Sequence, residues 1–97
     1  MKIRFLAIAQ REVDDAVRWY DDQIAGLGQE FLDELDRAVR RAAAWPTSCP
    51  EIEHGVRRCL LARFPYGLIY GVDGETLVVL AVAHLHRKPR HWVERIG

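Results

Sequence analysis

No apolar run in the 97-residue sequence approaches the ~20 residues of a membrane-spanning helix; the longest, Leu77 to Ala83, stops at seven. The opening MKIRFLAIAQRE is interrupted by Arg4 and has no small-residue cleavage site, so no secretory signal is expected and the chain is assigned to the cytoplasm. Ser48 is the only serine and lies in a proline-flanked loop, which excludes a serine nucleophile elbow. Neither a GxGxxG nor a GKS/T phosphate loop occurs. Two cysteines, Cys49 and Cys59, stand too far apart for a CxxC motif, and a lone disulfide is unusual in a cytosolic chain. Both are therefore read as small buried or half-buried residues without chemistry.

Net charge is missing too: fourteen Lys plus Arg face fourteen Asp plus Glu, where nucleic-acid binders carry a basic excess. The balance is uneven along the chain. Residues 1–54 hold eleven acids against seven bases, and residues 55–97 three acids against seven bases, so a −4 half precedes a +4 half. The last thirteen residues, LHRKPRHWVERIG, gather three arginines, one lysine, two histidines and Trp92.

The pattern predicts an α+β chain with one domain over 1–97. Lys2 to Ile8 reads as a strand. Val13, Ala16, Val17, Tyr20 and Ile24 then form the stripe of an amphipathic helix, with Glu12, Asp14 and Asp15 in its first turns. Gly26-Leu27-Gly28 breaks it, and a second helix from about Gln29 to Trp45, striped by Leu32, Leu35, Val39 and Ala42, ends at Pro46. The short connection makes the two an antiparallel hairpin. Trp19 and Trp45 are expected to pack at its edges, with the helix carboxylates facing solvent.

Thr47 to Gly55 reads as loop. A three-stranded antiparallel meander follows: Val56–Arg63, Gly67–Val72 after a Phe64-Pro65-Tyr66 turn, and Thr76–His84 after the Asp73-Gly74 hairpin signal. Leu77 to Ala83 is apolar on both parities, so this strand is expected to be covered on both faces. The helical hairpin covers one; the C-terminal tail, as a short extension or helix, or a partner chain covers the other.

The histidines and arginines carry the only candidate chemistry. His84, His86 and His91 can form a three-imidazole ligand set, but no Cys, Asp or Glu stands beside them at ligand spacing, so no metal and no cofactor is assigned. A metal-independent ribonuclease needs a general base, a general acid and cations for the charged phosphorane. Here the same histidines, with Arg57, Arg58, Arg63, Arg87 and Arg90, supply the residue types. Solvated strand-face arginines are the alternative reading.

Three fragments in order resemble the RelE/ParE toxin superfamily, the toxin half of bacterial type II toxin–antitoxin modules. They are Ala16-Val17-Arg18-Trp19-Tyr20, then Arg63-Phe64-Pro65-Tyr66-Gly67-Leu68-Ile69-Tyr70, and Val82-Ala83-His84 running on through Arg87 and Pro89 to Trp92. Members commonly show a WY pair, an R-F-P-Y-x-I-x-Y stretch and a V-x-H-x-x-R-x-P-x-x-W tail, and the likeness spans nearly the whole chain. It implies a growth-halting toxin neutralised by a cognate antitoxin, which would complete part of the surface of the doubly apolar strand.

Two branches of the superfamily differ in target. RelE-like members cut mRNA on the ribosome, and this resemblance would make Arg58, Arg63, His84, His86 and Arg87 the catalytic set. The chain has only Lys2 and Lys88 as lysines and no tyrosine after Tyr70, both unlike RelE. The WY helix, the FPY turn and the tail resemble the ParE branch, which implies inhibition of DNA gyrase without catalytic residues. Contacts to target or antitoxin are then assigned to Arg63, Tyr66, Arg87, Lys88, Arg90 and Trp92. A toxin fold kept as a non-toxic binding module is the third reading.

Overall fold

The computed structural model describes residues 1–86 and 91–96. Strand β1 (Lys2–Phe5) leads into helices α1 (Ala7–Gln23) and α2 (Leu27–Ala44). Strands β2 (Glu51–Glu53), β3 (Val56–Leu60), β4 (Tyr66–Asp73) and β5 (Thr76–His84) follow, and a 3-10 turn covers Val93–Arg95. The five strands form one sheet in the order β1-β5-β4-β3-β2, with α1 packed over β5 and α2 over β4. Among the described residues, no helix is long and apolar enough to cross a membrane.

The first helix starts earlier than the sequence pattern indicates. The run Phe5 to Ala9 is too short for its periodicity to separate strand from helix. Tertiary pairing decides it: the Leu6 N–H donates to the Val79 carbonyl at 3.1 Å, and the Gln10 N–H to the Leu6 carbonyl at 3.0 Å. Glu12, Asp14 and Asp15 thus fall beyond the first turn, where the helix dipole favours acids less. Ile24 is extended and exposed past the end of α1 instead of closing its stripe.

Gly26 holds a left-handed φ of 89° as the chain turns, whereas Gly28 lies inside α2. A Cβ at Gly28 would stand 2.6 Å from the Val17 carbonyl oxygen, so the close helix crossing requires glycine there. Its N–H donates to Asp21 Oδ1 at 2.8 Å, which satisfies one of the open donors at the start of α2. The buried stripe of α2 centres on Phe31, Leu35, Ala38, Val39 and Ala42, with Leu32 only half-buried at its flank. Trp19 and Trp45 are largely open to solvent, at 59% and 70% exposure, and are not buried at the hairpin edges.

Apolar residues on both parities of β5 have two causes. Both faces are covered, and a bulge changes the parity: Ile69 pairs with Ala81 and Tyr70 with Val79, leaving Leu80 as the extra residue. Leu77, Val79 and Val82 therefore face the helices, while Val78, Leu80, Ala81 and Ala83 face a second cluster with Val56, Ile69 and Trp92. Trp92 and Val93 of the C-terminal tail, with Leu6 and Ile52, fill that second face. Every residue from Leu77 to Ala83 is buried within the single chain, so this strand is not left for an antitoxin to cover.

β1 runs parallel to β5, from Lys2 opposite Thr76 to Phe5 opposite Val79. Beyond Val79, the described residues place no strand on that side of β5. Side chains substitute. Glu12 Oε1 accepts the Val82 N–H at 3.0 Å, and Arg95 Nη1 donates to the Leu80 carbonyl at 2.9 Å. Arg95 grips Glu12 through both of its terminal nitrogens, at 2.9 and 3.2 Å.

The cysteines depart most clearly from the reading made above, since Cys49 and Cys59 form a disulfide. Glu51 pairs with Arg57, and carrying that antiparallel register two residues further sets Cys49 opposite Cys59, with Cα atoms 5.3 Å apart. Rarity of disulfides in one compartment says nothing about this geometry. Closing the short loop contributes about 3 kcal/mol in the chain-entropy model. The same segment is tied down by the Tyr70 hydroxyl, which donates to the Pro46 carbonyl at 2.7 Å, and by Arg57 Nη1, 2.8 Å from the Cys49 carbonyl.

Candidate functional site

Glu12, Asp15, Ala16 and Trp19 recur at i, i+3, i+4 and i+7, so they line one face of α1. That face meets Tyr66 at the start of β4 and Val82 near the end of β5, enclosing a cleft of about 220 Å³. The cleft lies where β1 has already ended, beside the strandless edge of β5.

Its floor is aromatic. The Tyr66 ring lies 5.0 Å from Phe31 and 6.2 Å from Tyr20, both edge-on, and 5.2 Å from His84, its cross-strand neighbour. His86 follows at 5.2 Å from His84. The His86 N–H donates to His84 Nδ1 at 3.1 Å, which leaves Nε2 to carry the proton of a neutral His84 ring. Trp19 stands edge-on to Tyr20 at 5.1 Å with most of its indole open to solvent. Burial first, then the nearby Tyr66, pushes the Tyr20 hydroxyl up from its ordinary 10.0, so it stays protonated at neutral pH.

The cations are arranged differently. Arg63 Nη1 lies 3.1 Å from Glu30 Oε1 and its Nε 3.3 Å from Glu34 Oε1, while its backbone N–H donates to Glu34 Oε2 at 3.0 Å. The hydrogen bonds it donates to Glu30 and then to Glu34 raise its pKa further and hold it charged. Glu34 is thus a buried carboxylate that organises the turn before β4, and Glu12 is a second inward-facing one; the helix acids are not all solvated. Arg58 pairs with Ile69 and so projects from the second face of the sheet, whereas His84 shares the helix face with Tyr66. Among the described residues, no group of three or more His, Cys, Asp and Glu side chains is arranged to hold a metal ion.

This architecture is matched by known proteins. The profile described as ParE toxin of type II toxin-antitoxin system, parDE, matches residues 3–89. The chain belongs to the ParE toxin family. No curated protein sequence matches it significantly. Among solved structures, a chain titled "Chromosomal ParDE TA system from P. aeruginosa" superposes with a TM-score of 0.75. The match covers 89% of this chain and 97% of that one at 19% identity, a likeness of fold.

In this ParE-family chain the residues proposed from sequence separate into distinct groups. Tyr66 lines the cleft, with His84 against its ring and His86 beside His84. Arg63 is engaged by two glutamates, and Arg58 lies on the opposite face. Trp92 is 4% exposed and anchors the tail in the second core, which makes it a packing residue and not a surface contact. Arg87, Lys88 and Arg90 lie outside the described residues. Sequence reasoning missed Trp19 as a cleft residue, although its place beside the Ala16, Val17 and Tyr20 stripe was the available signal.

Proposed function

We propose that this ParE-family chain is a growth-inhibiting toxin that acts on DNA gyrase by binding and is neutralised by a cognate antitoxin. The placement of Arg58 and Arg63, the described cations of the would-be nuclease set, carries this reading. A phosphoryl-transfer site needs its cations converging with its acid and base on one scissile phosphate. Here Arg63 is held by Glu30 and Glu34, and Arg58 projects from the face opposite His84. A gyrase inhibitor needs a shaped surface only. The exposed Trp19 and the half-buried Tyr66 at the cleft supply aromatic surface of the kind that anchors partners. Arg87, Lys88 and Arg90 supply the cationic segment that an acid-rich antitoxin arm would complement.

Induction of the chain in a bacterial host, read out separately for gyrase-dependent DNA breaks and for mRNA cleavage on ribosomes, tests the reading. Breaks without mRNA cleavage support it. Cleavage at the ribosome without breaks selects the RelE-like endonuclease, and growth unaffected in both assays selects a non-toxic binding module. Replacing Arg87 and Arg90 by Glu is expected to abolish toxicity or antitoxin binding; unchanged behaviour in both removes that segment from the contact surface.

A further inference from the structure

The Cys49–Cys59 bridge is a redox-active bond that the toxin reading leaves unused. Its two sulfurs have unequal surroundings. Cys59 is buried at 5% exposure on β3, packed among the residues between sheet and helices. Cys49 is only half-buried, at the end of the loop that follows the exposed Trp45. Cys49 is therefore the more open of the two residues to a thiolate arriving from solvent.

The departing sulfur is also provided for. Attack on a disulfide is faster when the leaving thiolate is stabilised, which a nearby cation or hydroxyl achieves. Arg57 projects from the same face of β3 two residues before Cys59, with its Nη1 2.8 Å from the Cys49 carbonyl. The Tyr70 oxygen lies 4.0 Å from Cys59 Sγ, but its proton is directed at the Pro46 carbonyl, so stabilisation of the departing thiolate falls to Arg57.

We propose that Cys49 is a site of thiol–disulfide exchange with low-molecular-weight cellular thiols, and that Cys59 is its buried leaving and resolving partner. In the first step an external thiolate bonds to Cys49 Sγ, the Cys49–Cys59 bond breaks, and its electron pair leaves on Cys59 Sγ. The result is a mixed disulfide on Cys49 and a thiolate on Cys59. A second external thiolate then bonds to the external sulfur of the mixed disulfide and expels the Cys49 thiolate. Two external thiols are oxidised to one external disulfide as the internal bridge takes up two electrons. In the reverse direction, Cys59 attacks the mixed disulfide and restores the bridge. Reduction releases the covalent tie between β3 and the segment that follows Trp45, leaving the Tyr70–Pro46 and Arg57–Cys49 hydrogen bonds to hold it.

The test uses the intact protein. Oxidised chain is mixed with excess reduced glutathione, quenched with acid at intervals and digested with trypsin. Cleavage after Arg57 and Arg58 separates the peptide carrying Cys49 from the one carrying Cys59. Glutathione is expected on the Cys49 peptide in at least about tenfold excess over the Cys59 peptide, an excess that corresponds to a tenfold rate difference. Glutathione on Cys59, equal labelling, or a bridge that persists in excess glutathione overturns the proposal. With oxidised glutathione, C59S is expected to be modified at Cys49 at least about tenfold faster than C49S at Cys59. Equal or reversed rates in two variants with matching circular dichroism overturn the assignment of the attacked sulfur.

Discussion

Glu12 of α1 and Arg95 of the last turn form an ion pair with side chains only 9% and 12% exposed, and together they take the place of a missing strand beside β5. The two residues are 83 positions apart. Their pairing fastens the C-terminal tail to the sheet and blunts a strand edge that would otherwise offer unpaired backbone groups to another chain. His91 Nε2, 3.6 Å from Glu12 Oε2, belongs to the same cluster.

Replacing Glu12 by Ala strands a buried guanidinium and removes the acceptor of the Val82 N–H. Breaking a buried pair from one side costs about 3–5 kcal/mol. Urea unfolding is expected to show a loss of this size for E12A, and amide exchange at Val82 is expected to accelerate more than at Leu68 in the sheet centre. A loss below about 1 kcal/mol, as for a surface pair, would refute the strand-substitute role.

The two partly legible tryptophans should separate by role. Trp92→Ala empties part of the second core and is expected to lower stability by about 3–5 kcal/mol. Trp19→Ala removes an exposed ring and is expected to leave the thermal midpoint nearly unchanged while weakening antitoxin binding, measured by calorimetry against the purified antitoxin. Unweakened binding by a folded W19A would take the cleft out of the contact surface.

Alkaline stability reports on Tyr20 and Tyr70. Burial raises both hydroxyls above 10.0, and for Tyr70 the Arg57 charge opposes that rise. The unfolded chain then gives up these protons first, so stability is full below about pH 10 and falls as pH rises through the folded-state values. Tyr70→Phe is expected to reduce that alkaline slope. At neutral pH it is expected to cost about 1 kcal/mol through the lost bond to the Pro46 carbonyl. Urea titrations at neutral and alkaline pH, with and without the substitution, measure both effects.

The helical hairpin and the meander were readable because local patterns specify them: the Val13–Tyr20 stripe, the glycines at Gly26 and Gly28, and the Asp73-Gly74 turn, which forms one residue later, at Gly74-Glu75. Part of what escaped is local, namely the strand Glu51–Glu53 inside the segment read as loop and the Cys49–Cys59 bridge beside it, and the rest depends on residues far apart. The parallel pairing of Lys2–Phe5 with Thr76–Val79 leaves no local trace, and neither does the Glu12–Arg95 pair. The bulge at Leu80 was hidden because it makes an alternating strand look continuously apolar. The grouping of Tyr66 with His84 follows from strand pairing, whereas which sheet face Arg58 takes depends on register, and the clamping of Arg63 depends on the docking of α2.

Action on gyrase by binding is the central claim, and purified components test it most directly. DNA gyrase, supercoiled plasmid and ATP are incubated with the chain, and cleaved plasmid is counted after protein removal. Gyrase-dependent accumulation of cleaved DNA, suppressed by the cognate antitoxin, is the expected result. Contradiction would be plasmid left intact at every toxin concentration while the same preparation cuts mRNA on translating ribosomes.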